Sequence, residues 1–103
     1  MASIATIVRN ARGTAGNWHV AGFGSDHVAL YHYSTRMLVW NPLTREVAYG
    51  AIGWGSVSDQ QGMNKAFAEI DPRYKYRRNG HPRVEYMGEP ITGLSTEPMA
   101  LVA

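Results

Sequence analysis

The stretch Ser58-Asp59-Gln60-Gln61-Gly62-Met63-Asn64-Lys65-Ala66-Phe67-Ala68-Glu69-Ile70-Asp71-Pro72 decides the fold class, because it carries the clearest helical period in the sequence. Met63, Ala66, Phe67 and Ile70 recur at i, i+3, i+4 and i+7, which makes one apolar stripe, while Asn64, Lys65 and Glu69 are expected to face water. Ser58 and Gln61 stand at capping-box spacing, so that each side chain would accept a hydrogen bond from the other's backbone N–H. Asp71-Pro72 ends the helix, since a residue before proline is driven out of the helical region. Gly62 in the helix interior costs about 1 kcal/mol against alanine, which points to close packing or a partner at that position.

Upstream, from Asn17 to Gly53, the period changes from 3.6 to 2. Four runs, 18–23, 27–33, 37–40 and 46–52, are separated by Gly-Ser-Asp, Ser-Thr-Arg and Asn-Pro-Leu-Thr-Arg, the pattern of an antiparallel meander. In the second run Val28, Leu30 and His32 share one face and His27, Ala29, Tyr31 and Tyr33 the other. Both faces are partly apolar, which predicts a central strand covered on each side. Pro42 falls between two strands, where its missing N–H does least harm. At the N-terminus Ile4, Ile7, Val8 and Ala11 have helical spacing behind Ser3 as cap, with Gly13 as the stop and a loop over 13–16. The β-branched run Thr6-Ile7-Val8 leaves a strand as the competing reading.

Downstream, Pro72 to Tyr86 has two readings. Asn79-Gly80 as a two-residue turn makes a hairpin that pairs Arg78 with His81, Tyr76 with Arg83 and Tyr74 with Glu85. This register puts Tyr74, Tyr76, Arg78, His81 and Arg83 on one face, and neither face is apolar enough to be core. Alternatively Asp71 caps a short helix that stops at Asn79-Gly80. The alternation through Tyr74-Lys75-Tyr76-Arg77 favours the hairpin. After Tyr86 the glycines and prolines predict a loose tail or an edge extension.

The expected architecture is therefore α+β: a small antiparallel sheet of about four or five strands, the 58–70 helix on one face and a short N-terminal helix. Residues 1–87 would form the single domain and 88–103 a loose tail or an edge extension. Val20, Val28, Leu30, Leu38, Val47, Ile52, Met63, Phe67 and Ile70 should supply much of the core. With 103 residues, 45% of them hydrophobic, the chain can bury one modest core without staples. It has no cysteine, which excludes disulfides, thiolate metal sites and a cysteine nucleophile. No apolar run approaches the length of a membrane span, and the first residues lack the basic and apolar regions of a secretion signal. The expected location is cytoplasmic, with no membrane partner.

Chemistry is harder to find. His19, His27, His32 and His81 match no compact metal motif, so no metal is expected, and no cofactor. Ser25-Asp26-His27 holds the three triad residue types consecutively, an arrangement that reads as a turn entering a strand. Gly50-Ala51-Ile52-Gly53-Trp54-Gly55-Ser56 feeds a helix N-terminus, where backbone donors cradle anions. It has no Walker lysine, and Asp59 already places a negative charge there, so a strand-to-helix turn is the favoured reading. An enzyme built on His32 or His81 with Asp26 or Asp59 has no supporting spacing.

The net charge is only +2, but its distribution is uneven. Arg73, Lys75, Arg77, Arg78 and Arg83 are five of the ten Lys and Arg, lie within one short segment, and have His81 and no carboxylate among them. Together with Tyr74 and Tyr76 they form the candidate partner-binding set. Arginine and lysine would meet phosphates or carboxylates, and tyrosine would stack or pack. The competing reading is a solvated hairpin whose arginines pair with Glu69, Asp71, Glu85 or Glu89.

The middle of the chain, His27-Val28-Ala29-Leu30-Tyr31-His32-Tyr33 through Trp40-Asn41-Pro42-Leu43-Thr44-Arg45-Glu46-Val47 to Gly53-Trp54-Gly55-Ser56-Val57-Ser58-Asp59 and Asn64, resembles small accessory proteins of tailed phages. Those proteins have short strands, a Gly-aromatic segment and a Ser/Asp-started helix carrying an asparagine. The resemblance covers roughly 17–70 and implies a phage origin, a bacterial host cytoplasm, and action by binding, even inhibiting, a host or defence macromolecule. The reading is thus a non-enzymatic interaction protein that meets a host protein or another acidic macromolecule through the basic segment. Direct nucleic-acid binding by the same 73–83 segment is the alternative.

Overall fold

The computed structural model describes residues 2–91. The chain is α+β, as the two periods predict. It runs α1 (Ile4–Asn10), β1 (Gly13–Ala15), β2 (Trp18–Phe23), β3 (His27–His32), β4 (Thr35–Trp40), β5 (Val47–Gly50), α2 (Val57–Ile70), β6 (Tyr74–Arg77), β7 (Arg83–Tyr86) and β8 (Glu89–Pro90). Strands β1 to β5 make one antiparallel sheet in sequential order, and β6 to β8 make a second, small one.

Strand β3 is central, and its neighbours Ala29 and Leu30, which point to opposite faces, are both fully buried. Val20, Leu30, Leu38, Met63, Phe67 and Ile70 join the core as expected, while Val28, Val47 and Ile52 are only partly buried against it. Ile7, from the N-terminal helical stripe, is also in the core, and Trp18, Trp40, Tyr49 and Tyr76 are core members that the periodicity did not single out. Helix α1 packs on α2 and on β1 and β2, and its Arg9 meets Glu69 of α2 at 2.8 Å.

Several boundaries differ from the sequence reading for local reasons. Ser3 does cap α1, but the stop is Ala11, in the left-handed region with its N–H bonded back into the last turn, and not Gly13. Residues 13–15 then pair with β2 as an edge strand where a loop was expected. Helix α2 begins one residue earlier, and its cap is Ser56, not Ser58: the Ser56 hydroxyl accepts from the Asp59 N–H and the Asp59 carboxylate accepts from the Ser56 N–H. A carboxylate is a stronger acceptor than the Gln61 amide, so the Ser56-x-x-Asp59 box wins. After residue 87, Glu89–Pro90 pairs with β7 at the edge of the small sheet, which fits the edge extension given as one reading of 88–103; the residues beyond 91 lie outside those described.

Gly62 is where the two layers meet. A Cβ there would come within 2.1 Å of Cζ2 of Trp18, so the helix crosses the sheet at a distance that only glycine allows.

Candidate functional site

The hairpin reading of 72–86 holds, but its register does not. Tyr74 pairs with Tyr86, Lys75 with Glu85, Tyr76 with Val84 and Arg77 with Arg83, around a five-residue connection, 78–82, and not a two-residue turn. This register collects Tyr74, Tyr76, Val84 and Tyr86 on one face, which is apolar enough to pack, and Lys75, Arg77, Arg83 and Glu85 on the other. Pairing Tyr76 with Arg83 instead would have put a guanidinium beneath the hairpin.

Tyr76 is therefore removed from the exposed surface. It is fully buried, its hydroxyl donates to the Ile52 carbonyl, and burial, together with the nearby Asp59 charge and against the pull of Arg78, pushes its pKa up to about 12. Its backbone is clamped by Asn64 of α2, which donates through Nδ2 to the Tyr76 carbonyl at 3.0 Å and accepts the Tyr76 N–H at 2.7 Å. Asn64 thus faces the second sheet, contrary to its expected place in water. Tyr74 is half-buried, stacked on Phe67 with ring centroids 5.4 Å apart.

The cations of the segment are held outward in defined positions. Arg73 makes a two-pronged pair with Asp71 at 2.9 and 2.8 Å, which holds the Asp71 carboxyl below its usual range. Arg83 lies 2.7 Å and Arg77 3.4 Å from the buried Glu85, which they likewise hold below the usual carboxylate range against its desolvation. Arg83 also donates to the Asn79 and His81 carbonyls. Arg78 donates through Nε to the Gly55 carbonyl at 2.7 Å, and Lys75 and His81 are exposed. Arg77, Arg78 and Arg83 line, with Gln60 and Asn79, an open cleft of about 470 Å³.

The Gly55 contact joins this cleft to the loop before α2. A Cβ on Gly55 would lie 2.6 Å from Cγ of Pro82, so the loop and the hairpin tip are pressed together. Gly53 and Gly55 both have positive φ, and between them Trp54 stands 84% exposed. The glycines serve this turn, as the favoured reading of the loop had it. Trp54 is the surface residue that the sequence reading passed over. Its signal was available: an aromatic side chain between two glycines has little neighbouring chain to cover it.

The same loop closes over a buried pair. Asp59 is completely buried and accepts at Oδ1 from Nδ1 of His32, at 2.7 Å, and at Oδ2 from the Trp54 and Ser56 N–H groups at 3.0 and 3.2 Å. Burial alone would raise its pKa, but the hydrogen bonds from His32, Ser56 and Trp54 outweigh it and keep the carboxyl below its ordinary value. An ionised carboxylate only accepts, so Nδ1 of His32 carries a proton, and in the Nδ1–H tautomer Nε2 is the acceptor of the ring. The His32 ring is also stacked on Trp18, 4.1 Å between centroids and 7° from parallel. An Asp-His pair of this kind fixes both the tautomer and the plane of an imidazole. The pair joins residues 27 positions apart, so no local spacing announced it. His81 and Asp26 lie elsewhere, in the hairpin connection and in the β2–β3 turn.

Among the described residues no three His, Asp or Glu side chains cluster as metal ligands, and no helix is long and apolar enough to cross a membrane. Comparison of the chain with protein-family models, curated proteins and solved structures found no match.

Proposed function

We propose that this chain is a non-enzymatic interaction protein that binds an acidic protein surface through the outward face of the β6–β7 hairpin, with Trp54 as the apolar anchor. The observation that carries the reading is the joining of two features: a cleft lined by Arg77, Arg78 and Arg83, and an exposed tryptophan held beside it through Arg78 and Gly55. Tryptophan and arginine dominate the energetics of protein interfaces. Here the arginines are set by Glu85 and by backbone carbonyls, so less side-chain freedom is lost on binding. The docking set is Arg73, Lys75, Arg77, Arg78, His81 and Arg83 with Trp54; Tyr74 and Tyr76 support it from behind. The resemblance to phage accessory proteins makes a host or defence protein the natural target, and inhibition by occupancy the natural outcome.

The test is fluorescence anisotropy of a labelled Glu/Asp-rich peptide, and of labelled single-stranded and duplex DNA, titrated with the protein at low and physiological salt. The peptide is expected to bind. Arg77→Glu with Arg78→Glu is expected to weaken it on the order of tenfold, the equivalent of about 1.4 kcal/mol, and Trp54→Ala to weaken it as well. Binding to DNA alone, falling steeply with salt, would turn the same surface into a phosphate-contacting one, for which the exposed tryptophan offers a stacking platform. Binding to neither would overturn the reading.

A further inference from the structure

A second surface feature lies on the other side of Trp54. Between the end of β3, the turn into β4 and the loop before α2 is an open cavity of about 430 Å³, with His32, Tyr33 and Trp54 as its aromatic lining and Ser34, Ser56 and Ser58 supplying hydroxyls. Its volume is in the range of ligand pockets. We infer that it binds a phenolic ring: an aromatic group bearing one hydrogen-bond donor.

Three observations lead there. First, His32 lines the cavity, and its Nδ1 is taken by Asp59, so Nε2 is the polar atom left on the ring. Nε2 has no protein partner among the described residues, yet it is not sealed from solvent as Arg36 Nε is. A 95%-buried imidazole thus keeps one acceptor at the cavity, with its tautomer set by Asp59 and its plane by Trp18. Second, Tyr33 and Trp54 are 62% and 84% exposed on the lining of the same cavity, an apolar area that a ring lying against them would cover. Third, Tyr33 has φ of 56°, at the first central position of the two-residue turn between His32 and Thr35, where hairpins place glycine. A bulky side chain held in the left-handed region is a genuine outlier, and such strain concentrates at binding sites.

The ligand's charge follows from Asp59. Its carboxylate sits directly behind His32, which disfavours an anion at Nε2. Both its oxygens are engaged by His32, Trp54 and Ser56, so neither is free to ligate a cation directly. A neutral donor on an aromatic ring meets the acceptor and the ring faces together.

The source of the ring is either a free small molecule or a tyrosine of a bound protein, and one titration separates them. Protein with ¹⁵N-labelled histidine is titrated with p-cresol, with toluene and with the blocked tripeptide Gly-Tyr-Gly, which is uncharged, following His32 Nε2 by NMR. p-Cresol is expected to saturate, to shift the Nε2 resonance and to bind at least about tenfold more tightly than toluene. Its affinity should be the same at low and physiological salt, because it is uncharged, which separates this site from the acidic-peptide surface. Trp54→Ala, a change at an exposed position that leaves the core intact, is expected to weaken p-cresol by about tenfold. A tripeptide tighter than p-cresol identifies a partner's tyrosine as the source; a weaker one identifies a free phenol. Toluene equal to p-cresol, or no saturable shift with p-cresol or the tripeptide, overturns the inference.

Discussion

Gly62 lowers the intrinsic helicity of α2 by about 1 kcal/mol relative to alanine, and the structure shows what this permits. A Cβ there would press on the benzo ring of Trp18, and Trp18 is backed by the stacked His32 ring, so the indole has little room to give way. Gly62→Ala should therefore destabilise the protein in spite of its better helix propensity. Overpacking typically costs about 1–3 kcal/mol, and a contact as close as 2.1 Å belongs at the upper end, so a net loss of about 2 kcal/mol is expected. The urea midpoint should fall with an unchanged slope; a raised midpoint would show that Trp18 moves freely. At this scale the sequence was half legible. A glycine inside a strong helix marks a close approach, but nothing local names Trp18, 44 positions upstream. Asp59 was legible as a charge in the first helical turn, but not as the partner of His32. Ser56 was missed as the cap because Ser58 offers the same hydroxyl two residues later, and the choice falls to the carboxylate three residues beyond Ser56.

Among elements, α2 holds the two sheets together. Its Gly62 and Asp59 touch the five-stranded sheet through Trp18 and His32, and its Asn64 and Phe67 touch the small sheet through Tyr76 and Tyr74. Asn64 acts on backbone, closing both hydrogen-bonding groups of Tyr76 on the strand edge. Asn64→Ala removes two hydrogen bonds and leaves an N–H and a carbonyl without them, so a loss of about 2 kcal/mol is expected. Hydrogen exchange locates the effect: the Tyr76 amide should exchange much faster while amides of β3 keep their relative protection. Equal acceleration everywhere would mean that the hairpin and the main sheet open only together. The strands and helices were largely legible, because alternation and the Met63-Ala66-Phe67-Ile70 stripe are periodic signals. The register of the hairpin was not. Asn79-Gly80 is a strong local turn signal, but burial of Tyr76 and Val84 outweighs it, and the chain loops through five residues to bring those two opposite each other.

For the molecule as a whole, the candidate surface and the stability share the same carboxylates. Asp59, Glu69, Asp71 and Glu85 all titrate below their ordinary values, for the reasons of geometry given above for Asp59, Asp71 and Glu85 and because Arg9 pairs with Glu69. A carboxyl whose folded pKa lies below its unfolded one contributes its full stabilisation above the unfolded value, near 4, and loses it as the pH falls through the folded value. Stability should therefore fall steeply below about 4, where the ten Lys and Arg remain positive with little negative charge left. Thermal unfolding followed across this range checks the sign; a midpoint that rises on acidification would contradict it. Asp59→Asn should lose a share of this acid dependence, which separates the buried pair from the exposed ones.

The Asp59 carboxylate has one more consequence. The glycine-lined start of α2 has the features of an anion receptor, with backbone N–H groups converging at the positive end of a helix. The receptor arrives already filled by a ligand that the chain itself carries. Even a flexible tether gives an effective concentration on the order of millimolar, and the short, helical arc from Ser56 to Asp59 is much stiffer. Dissolved phosphate or chloride competes with that tethered carboxylate at a standing disadvantage. The helix start therefore stays closed to the ionic contents of its surroundings, and selectivity in this region is left to the imidazole beside it.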